Sequence, residues 1–312
     1  MKATISQLEY IIALDTFRHF GKAADHCFIT QPTLSMQISK LEDNLGVKIF
    51  DRSRQPVIPT ELGKTILLQA RKIVNEVKKM EELIDDQRDI VSGSLRIGII
   101  PTVAPYLIPL FATSFLKKYL EIQLSVEESL TENTLAKLKS EEIDVGIVVG
   151  PVDDPSIREI PIYYEKFLAY ADGLNFDEGA ELSDKDLEVD RLWLLNEGHC
   201  FREQVLNICQ NRNLENILNY QSGSLEALKR MVDKQGGVTL LPELATLDLN
   251  EVDRKKLYSF KRPTPFREVT IVLKRDYLKK RLVEALQKEI VENLPPFMKD
   301  REENELRIVK WK

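Results

Sequence analysis

Thr30-Gln31-Pro32-Thr33-Leu34-Ser35-Met36-Gln37-Ile38-Ser39-Lys40-Leu41 opens as a helix opens, with Thr30 as a hydroxyl cap and Pro32 in the first turn, where a missing N–H costs nothing. Leu34, Ile38, Leu41 and Leu45 then make one apolar face, and Gly46 supplies the left-handed residue that ends it. Upstream, Cys27-Phe28-Ile29 reads as a turn and Lys22-Ala23-Ala24-Asp25-His26 as a short helix. Residues 6 to 17 form a first helix, with Ser6 and Glu9 at capping-box spacing and Leu8, Ile11, Ile12 and Phe17 near one stripe. Three short helices in this order predict a helix-turn-helix. Downstream, Val47-Lys48-Ile49-Phe50 reads as a strand, Arg52-Ser53-Arg54-Gln55-Pro56 as a turn and Val57-Ile58-Pro59 as a returning edge, which together make a wing.

In such a module the third helix enters the major groove, so Gln31, Pro32, Thr33 and Met36 are candidates for base edges and Lys40, Arg52 and Arg54 for phosphates. The solvated side of any small helical bundle offers similar residues, and basic residues barely outnumber acidic ones across positions 1 to 64. Spacing, not charge, carries the DNA reading.

From Thr60 the chain reads as one long helix with Ile66, Ala70, Ile73, Val77, Met80 and Ile84 alternately four and three apart. This coiled-coil seam would stay wet without a partner helix, so a dimer is expected. Gln87 to Gly93 reads as a hinge.

A length of 312 residues suits two or more domains, and a net charge of −6 excludes nucleic-acid binding by the whole surface while leaving room for one local module. No apolar run is long enough to span a membrane, and Met1 to Gln7 lacks the layout of a signal peptide, so a cytoplasmic chain with no membrane partner is expected. Three cysteines cannot form a disulfide framework, and in a reducing compartment a bridge between two of them would be transient, catalytic or sensory.

Beyond the hinge, strand and helix alternate: Leu95 to Ile100, Ala104 to Lys118, Ile122 to Glu127, Glu132 to Ser140, Val145 to Val149. Apolar segments follow at Phe167 to Tyr170, Leu192 to Leu195, Val238 to Leu241 and Val269 to Leu273, with a helical stretch at Leu225 to Val232. The expected architecture is α/β and multidomain: a winged helix-turn-helix over 1–60, a linker helix for dimerisation over 61–92, a two-lobed α/β effector domain over 93–300, and a charge-rich tail over 301–312, solvated or briefly helical. Thr102 and Gly198-His199-Cys200, each just past a strand, would face one cleft.

Arg202 to Gln210 reads as a helix, which puts Cys200 at an N-terminus whose dipole and free amides favour a thiolate, with His199 beside it. A thiolate in a polar cleft attacks peroxide and becomes a sulfenic acid that a second thiol can resolve. Cys209 is available, but if residues 200 to 209 stay helical the two Cα atoms lie about 13 Å apart, against about 7 Å for a disulfide, so closure demands unwinding. The plainer alternative is that both are small buried hydrophobes. Cys27 is expected to fill the core of the head. His19 and His26 lack ligand spacing, so neither metal nor cofactor is expected.

Ala23-Ala24, Thr30 to Ser35, Ile38-Ser39-Lys40-Leu41-Glu42, Leu45-Gly46, Phe50-Asp51-Arg52 and Pro59-Thr60-Glu61-Leu62-Gly63 together resemble the N-terminal signature of LysR-type transcriptional regulators. That resemblance implies a winged helix-turn-helix, a dimerising linker helix and an effector domain like periplasmic solute-binding proteins, with many members tetrameric. The run Gly198 to Gln204 with Cys209 nine residues after Cys200, together with Ile100 to Tyr106, Ser224 to Leu228 and Gly237 to Pro242, is similar to the peroxide-responsive activators of that family over essentially the whole chain. By that similarity Cys200 is the peroxide-reactive thiol and Cys209 the resolving thiol of a regulatory disulfide. Thr102 and His199 bind and polarise peroxide, and Arg267 lies near the reactive sulfur. Promoter DNA of antioxidant-defence genes, RNA polymerase, a homodimer assembling to a homotetramer, and re-reduction by thioredoxin or glutaredoxin are implied with it. The competing readings are a regulator with a small organic effector in the interlobe cleft, a thiol peroxidase, and, remotely, a secreted solute-binding protein.

Overall fold

The structure is a computed structural model. It describes the chain apart from residues 1–2, 87–90, 175, 178, 188–190, 210–221, 278, 300, 302–305 and 312, and the side chains of 78, 79 and 81–86. Residues 87–90 of the expected hinge Gln87 to Gly93, the side chain of Ile84, and Gln210 lie outside the described residues. Contacts divide the chain into two units: Met1–Ile90 with Lys139–Glu142, and Val91–Leu138 with Ile143–Lys312.

The first unit opens with α1 (Ile5–Phe17), α2 (Phe20–His26) and α3 (Gln31–Leu45). The capping box of α1 is Thr4 with Gln7, two residues before the expected Ser6 and Glu9, because Thr4 offers the same hydroxyl and the Gln7 amide reaches back to its N–H. α2 starts earlier than expected, capped by His19 Nδ1, which accepts from the amides of Gly21 and Lys22. α3 is capped by Thr30 and ends at Gly46, whose φ of 72° is left-handed. Leu34, Ile38 and Leu41 are wholly buried against Leu8, Ile11, Leu14, Ala23 and Ala24.

The wing is β1 (Phe50–Asp51) paired antiparallel with β2 (Ile58–Pro59), shorter and later than the expected Val47–Phe50 strand. Buried Glu42 explains the shift: its carboxylate accepts the amides of Ile49 and Phe50, so those groups bond to a side chain instead of a ladder. α4 (Glu61–Asp86) is capped by Thr60, and a Cβ on Gly63 would sit 2.0 Å from the Ile49 carbonyl oxygen, so only glycine lets the helix start against the wing. The expected seam divides. Ala70, with Leu67 and Val74, is buried in the unit's own core, whereas Ile73 and Met80 are exposed.

The second unit runs β3 (Gly93–Ile99), α5 (Ala104–Lys118), β4 (Ile122–Glu128), α6 (Thr131–Lys139), β5 (Val145–Val149), β6 (Ile157–Asp172) and β7 (Glu181–Leu182). It continues through α7 (Cys200–Cys209), α8 (Leu225–Gln235), β8 (Gly237–Pro242), α9 (Glu251–Arg254), β9 (Leu257–Phe260), β10 (Pro265–Lys274), α10 (Lys280–Asn293), α11 (Pro296–Lys299) and β11 (Arg307–Ile308). Strand order is β4-β3-β5-β10-β6-β9-β7, with β8 on β6 and β11 on β10. β3, β4 and β5 are parallel, while β10 runs antiparallel to β5 and β6.

Two apolar cores result, one around Leu95, Phe111, Val148 and Ile271, the other around Phe167, Tyr170, Leu240 and Ile208. β6 serves both, pairing with β10 over its first ten residues and with β8 from Phe167 onward. Leu192 to Leu195 is not a regular strand and makes only isolated bridges, Leu192 to Val238 and Leu195 to Ser222. The described part of the tail departs from the expected solvated or helical end: β11 extends the sheet beside Pro265 and Phe266, and Val309 and Trp311 are buried, because the strand edge of β10 offers partners that a free end lacks.

Candidate redox site and nucleic-acid interface

α7 is a continuous ten-residue helix with one thiol at each end, and both are free and buried. Nine steps of helix put about 13 Å between the two Cα atoms. Phe201, Val205, Ile208 and Cys209 face the second core, while Cys200 packs against the first.

Arg267 and Thr131 act on Cys200 directly, Thr102 is held on Arg267, and His199 is its neighbour in sequence. Thr102 follows β3 and is buried, and its hydroxyl accepts from Arg267 Nη1 at 3.0 Å, which leaves its own proton to donate elsewhere. Arg267, from β10, is 1 % exposed. Its Nε donates to Glu165 at 2.8 Å, its Nη2 to the Thr102 carbonyl at 3.0 Å, and its guanidinium lies over the Phe201 ring at 5.2 Å. Thr131, the first residue of α6, turns a buried hydroxyl without a conventional hydrogen-bond partner toward the sulfur. His199 precedes α7, accepts the Arg202 amide at its carbonyl, and lies 6 % exposed with Nε2 beside Gly223.

The thiol does not sit in the open polar cleft that the sequence suggested. Burial pushes its pKa up; the Arg267 guanidinium, the Thr131 hydroxyl and the first amides of α7 pull the other way without reversing it. The site therefore holds a buried thiol with anion-stabilising groups already aimed at it. His199 is driven toward its neutral form by burial. Cys209 is pushed up to about 12 by burial and by the nearby Asp184 charge.

Glu165 and Thr131 escaped the sequence reading. Glu165 had a signal, a lone carboxylate on the inward-facing phase of Tyr163-Tyr164-Glu165-Lys166; its oxygens take Arg267 on one side and the Leu244 amide on the other. Thr131 had none, because nothing local marks a helix-starting threonine 69 residues from Cys200 in sequence.

In the first unit, Gln31, Pro32, Met36 and Lys40 lie exposed along α3, with Thr33 half-buried and its hydroxyl 2.8 Å from that of Thr30. Arg54 is exposed on the wing and pairs with Asp51 at 3.4 Å. Arg52 is tied into the fold, donating to Ser39 and to buried Glu42 and covering the Phe20 ring. Cys27 caps the end of α2 and packs partly on the head core, its pKa raised by burial and by Glu9. Among the described residues no cluster suits a metal ion, and no helix is long and apolar enough to cross a membrane.

Comparison with known proteins places both units. Residues 5–64 match the bacterial regulatory helix-turn-helix protein model of the lysR family, and residues 88–295 match the LysR substrate binding domain. A hydrogen peroxide-inducible genes activator of Haemophilus influenzae is 35 % identical over 86 % of this chain and 89 % of its own length. The DNA-binding transcriptional dual regulator OxyR of Escherichia coli is also 35 % identical, over 86 % and 88 %. Among solved structures, a full-length OxyR variant from Pseudomonas aeruginosa superposes with a TM-score of 0.77 at 33 % identity, covering 92 % of this chain and 97 % of that one. A hydrogen-peroxide-bound OxyR variant from Corynebacterium glutamicum gives 0.61 at 28 %, covering 93 % and 92 %.

A winged helix-turn-helix followed in the same chain by a two-lobed α/β domain defines a DNA-binding transcription regulator. The chain belongs to the LysR family, and its relatives at about a third identity include OxyR of Escherichia coli and hydrogen peroxide-inducible genes activators.

Proposed function

We propose that this chain is a hydrogen-peroxide-sensing activator of transcription in which Cys200 and Cys209 form a regulatory disulfide. The observation that carries the reading is the convergence of Arg267, Thr131 and the first amides of α7 on one buried thiol whose helix ends in a second, with Thr102 held on Arg267 and His199 next to the thiol in sequence. The Cys200 thiolate attacks one peroxide oxygen, the O–O bond breaks, and hydroxide leaves and takes up the thiol proton as water. Arg267 and the helix N-terminus stabilise both anions. The sulfenic acid is then attacked by the Cys209 thiolate, releasing a second water; two thiols lose two electrons and hydrogen peroxide gains them.

Within folded α7, Cys209 is both too far away and held protonated. Unwinding the helix brings the sulfurs together and returns Cys209 to solvent, where its pKa falls to the ordinary thiol range, so one conformational event removes both obstacles. The oxidised chain cannot keep α7, and this is the two-state element through which oxidation alters packing of the chain on DNA.

Promoter DNA is read by α3 through Gln31, Pro32, Thr33 and Met36, with Lys40, Arg52 and Arg54 on phosphates. Exposed Ile73 and Met80 of α4 support a homodimer, which assembles to a homotetramer as in much of the family. The protein acts in the cytoplasm with RNA polymerase and is reset by thioredoxin or glutaredoxin. Thiol mass mapping after stoichiometric peroxide, with a Cys200→Ser control and promoter footprinting, tests the reading. A Cys200 to Cys209 bridge with an altered footprint is expected; unreactive thiols and an unchanged footprint would transfer the function to a small organic effector.

A further inference from the structure

We infer that the C-terminal segment, residues 306–311, is a strap that holds α7 folded, so that unwinding of α7 and release of the strap are a single event. The segment is fastened at three places. β11 adds in parallel to β10 at Pro265 and Phe266, immediately before Arg267. Trp311 is buried in the first core, with its indole N–H on the Val149 carbonyl at 3.1 Å. Arg307 forks onto both carboxylate oxygens of Asp184, at 3.2 and 2.7 Å.

Between these anchors the backbone is gripped by α7 itself. The Val309 N–H donates to the Phe266 carbonyl at 2.8 Å, while its own carbonyl accepts Gln204 Nε2 at 2.6 Å. Asn207 Nδ2 donates to the Lys310 carbonyl at 2.9 Å. Gln204 is wholly buried and, among the described residues, its Oε1 takes no hydrogen bond and its amide donates to the strap. Residues three apart share a face only while the segment is helical. Unwound, Gln204 and Asn207 no longer reach adjacent carbonyls, and Val309, which packs in the second core with Val205 and Cys209, is left with an unpaired buried carbonyl. Releasing the strap resolves that.

Coupling of the strap to redox state rests on the disulfide reading above, in which two thiols and hydrogen peroxide give a disulfide and two waters; the mechanical link does not. Because coupling is reciprocal, loosening either partner loosens the other. The test is hydrogen exchange, read peptide by peptide by mass spectrometry on the full chain. In the reduced protein, Trp311→Ala should speed exchange of amides 200–209 at least tenfold while β3 and β4 keep their rates, and unchanged α7 rates overturn the strap. Asn207→Ala, which empties no core position, should speed exchange over 308–311 by a similar factor; unchanged rates there overturn it too. On peroxide treatment the wild-type strap should lose protection as the bridge forms, and a bridged chain with a protected strap refutes the coupling. If no bridge forms, the disulfide reading fails, and the two reduced variants still decide the strap.

Discussion

Arg267 and Glu165 stand opposite each other across β10 and β6, guanidinium to carboxylate at 2.7 Å, both removed from solvent. The pair lies just before the point where β6 leaves β10 for β8, and it holds the Thr102 hydroxyl and the face of Phe201 as well. Removing one charge strands the other in the interior. Arg267→Met should therefore destabilise the effector domain by about 3–5 kcal/mol and lower its melting temperature by roughly 10 °C in thermal denaturation. A melting point within two degrees or so of wild type would show that the pair is not structural. Arg267→Lys keeps the charge but loses the fork to Thr102, and stopped-flow should find peroxide reacting about a hundredfold more slowly.

Because burial raises the pKa of Cys200, its thiolate fraction grows with pH, and the rate with hydrogen peroxide should climb roughly tenfold per unit between about pH 6 and pH 8. His199, whose pKa burial lowers, is held closer to its neutral form across that window than a free imidazole. Arg267→Gln should move the whole profile to higher pH; a flat wild-type profile contradicts the assignment.

Cys209 is raised from 9.0 to about 12, so the folded chain keeps a proton that the unfolded chain gives up. The associated stability is complete below pH 9 and is lost as pH rises toward 12. Urea unfolding between about pH 9 and pH 11 should show a falling free energy whose slope is reduced in Cys209→Ser.

Oxidation should cost the helix content of α7. A far-UV circular dichroism loss equivalent to about ten helical residues is expected on peroxide treatment, and none in Cys200→Ser. In Cys209→Ser the sulfenic acid should accumulate and be trapped by a carbon nucleophile, with α7 retained. Full helicity in a bridged wild-type chain would refute the unwinding.

On DNA, the two wing arginines should separate. Arg54→Ala should lower the salt slope of binding by about one unit at unchanged stability, whereas Arg52→Ala also frees buried Glu42 and should cost stability as well as affinity. Equal melting temperatures for the two variants would contradict the Glu42 contact.

The helix-turn-helix could be read from the sequence because its signals are local: the cap at Thr30, Pro32, the apolar spacing of Leu34, Ile38 and Leu41, and the stop at Gly46 lie within one 17-residue segment. A helix here was also legible, read as Arg202 to Gln210 with Cys200 at its N-terminus where the structure starts it at Cys200, and so was the distance problem it sets for a bridge, since rise per residue is fixed by backbone geometry. Long-range pairing decided the rest. Glu165 meets Arg267 only because β6 and β10 run antiparallel in that register, and Thr131 reaches Cys200 only because α6 starts beside α7's first turn. Arg307 and Ile308, in a tail charged and unpatterned in sequence, form a strand because β10 presents an unpaired edge and the two cores present room for Val309 and Trp311. Whether Cys200 is a thiolate or a buried thiol was likewise a tertiary matter: the helix N-terminus visible in the sequence favours the anion, but desolvation by the surrounding core outweighs it.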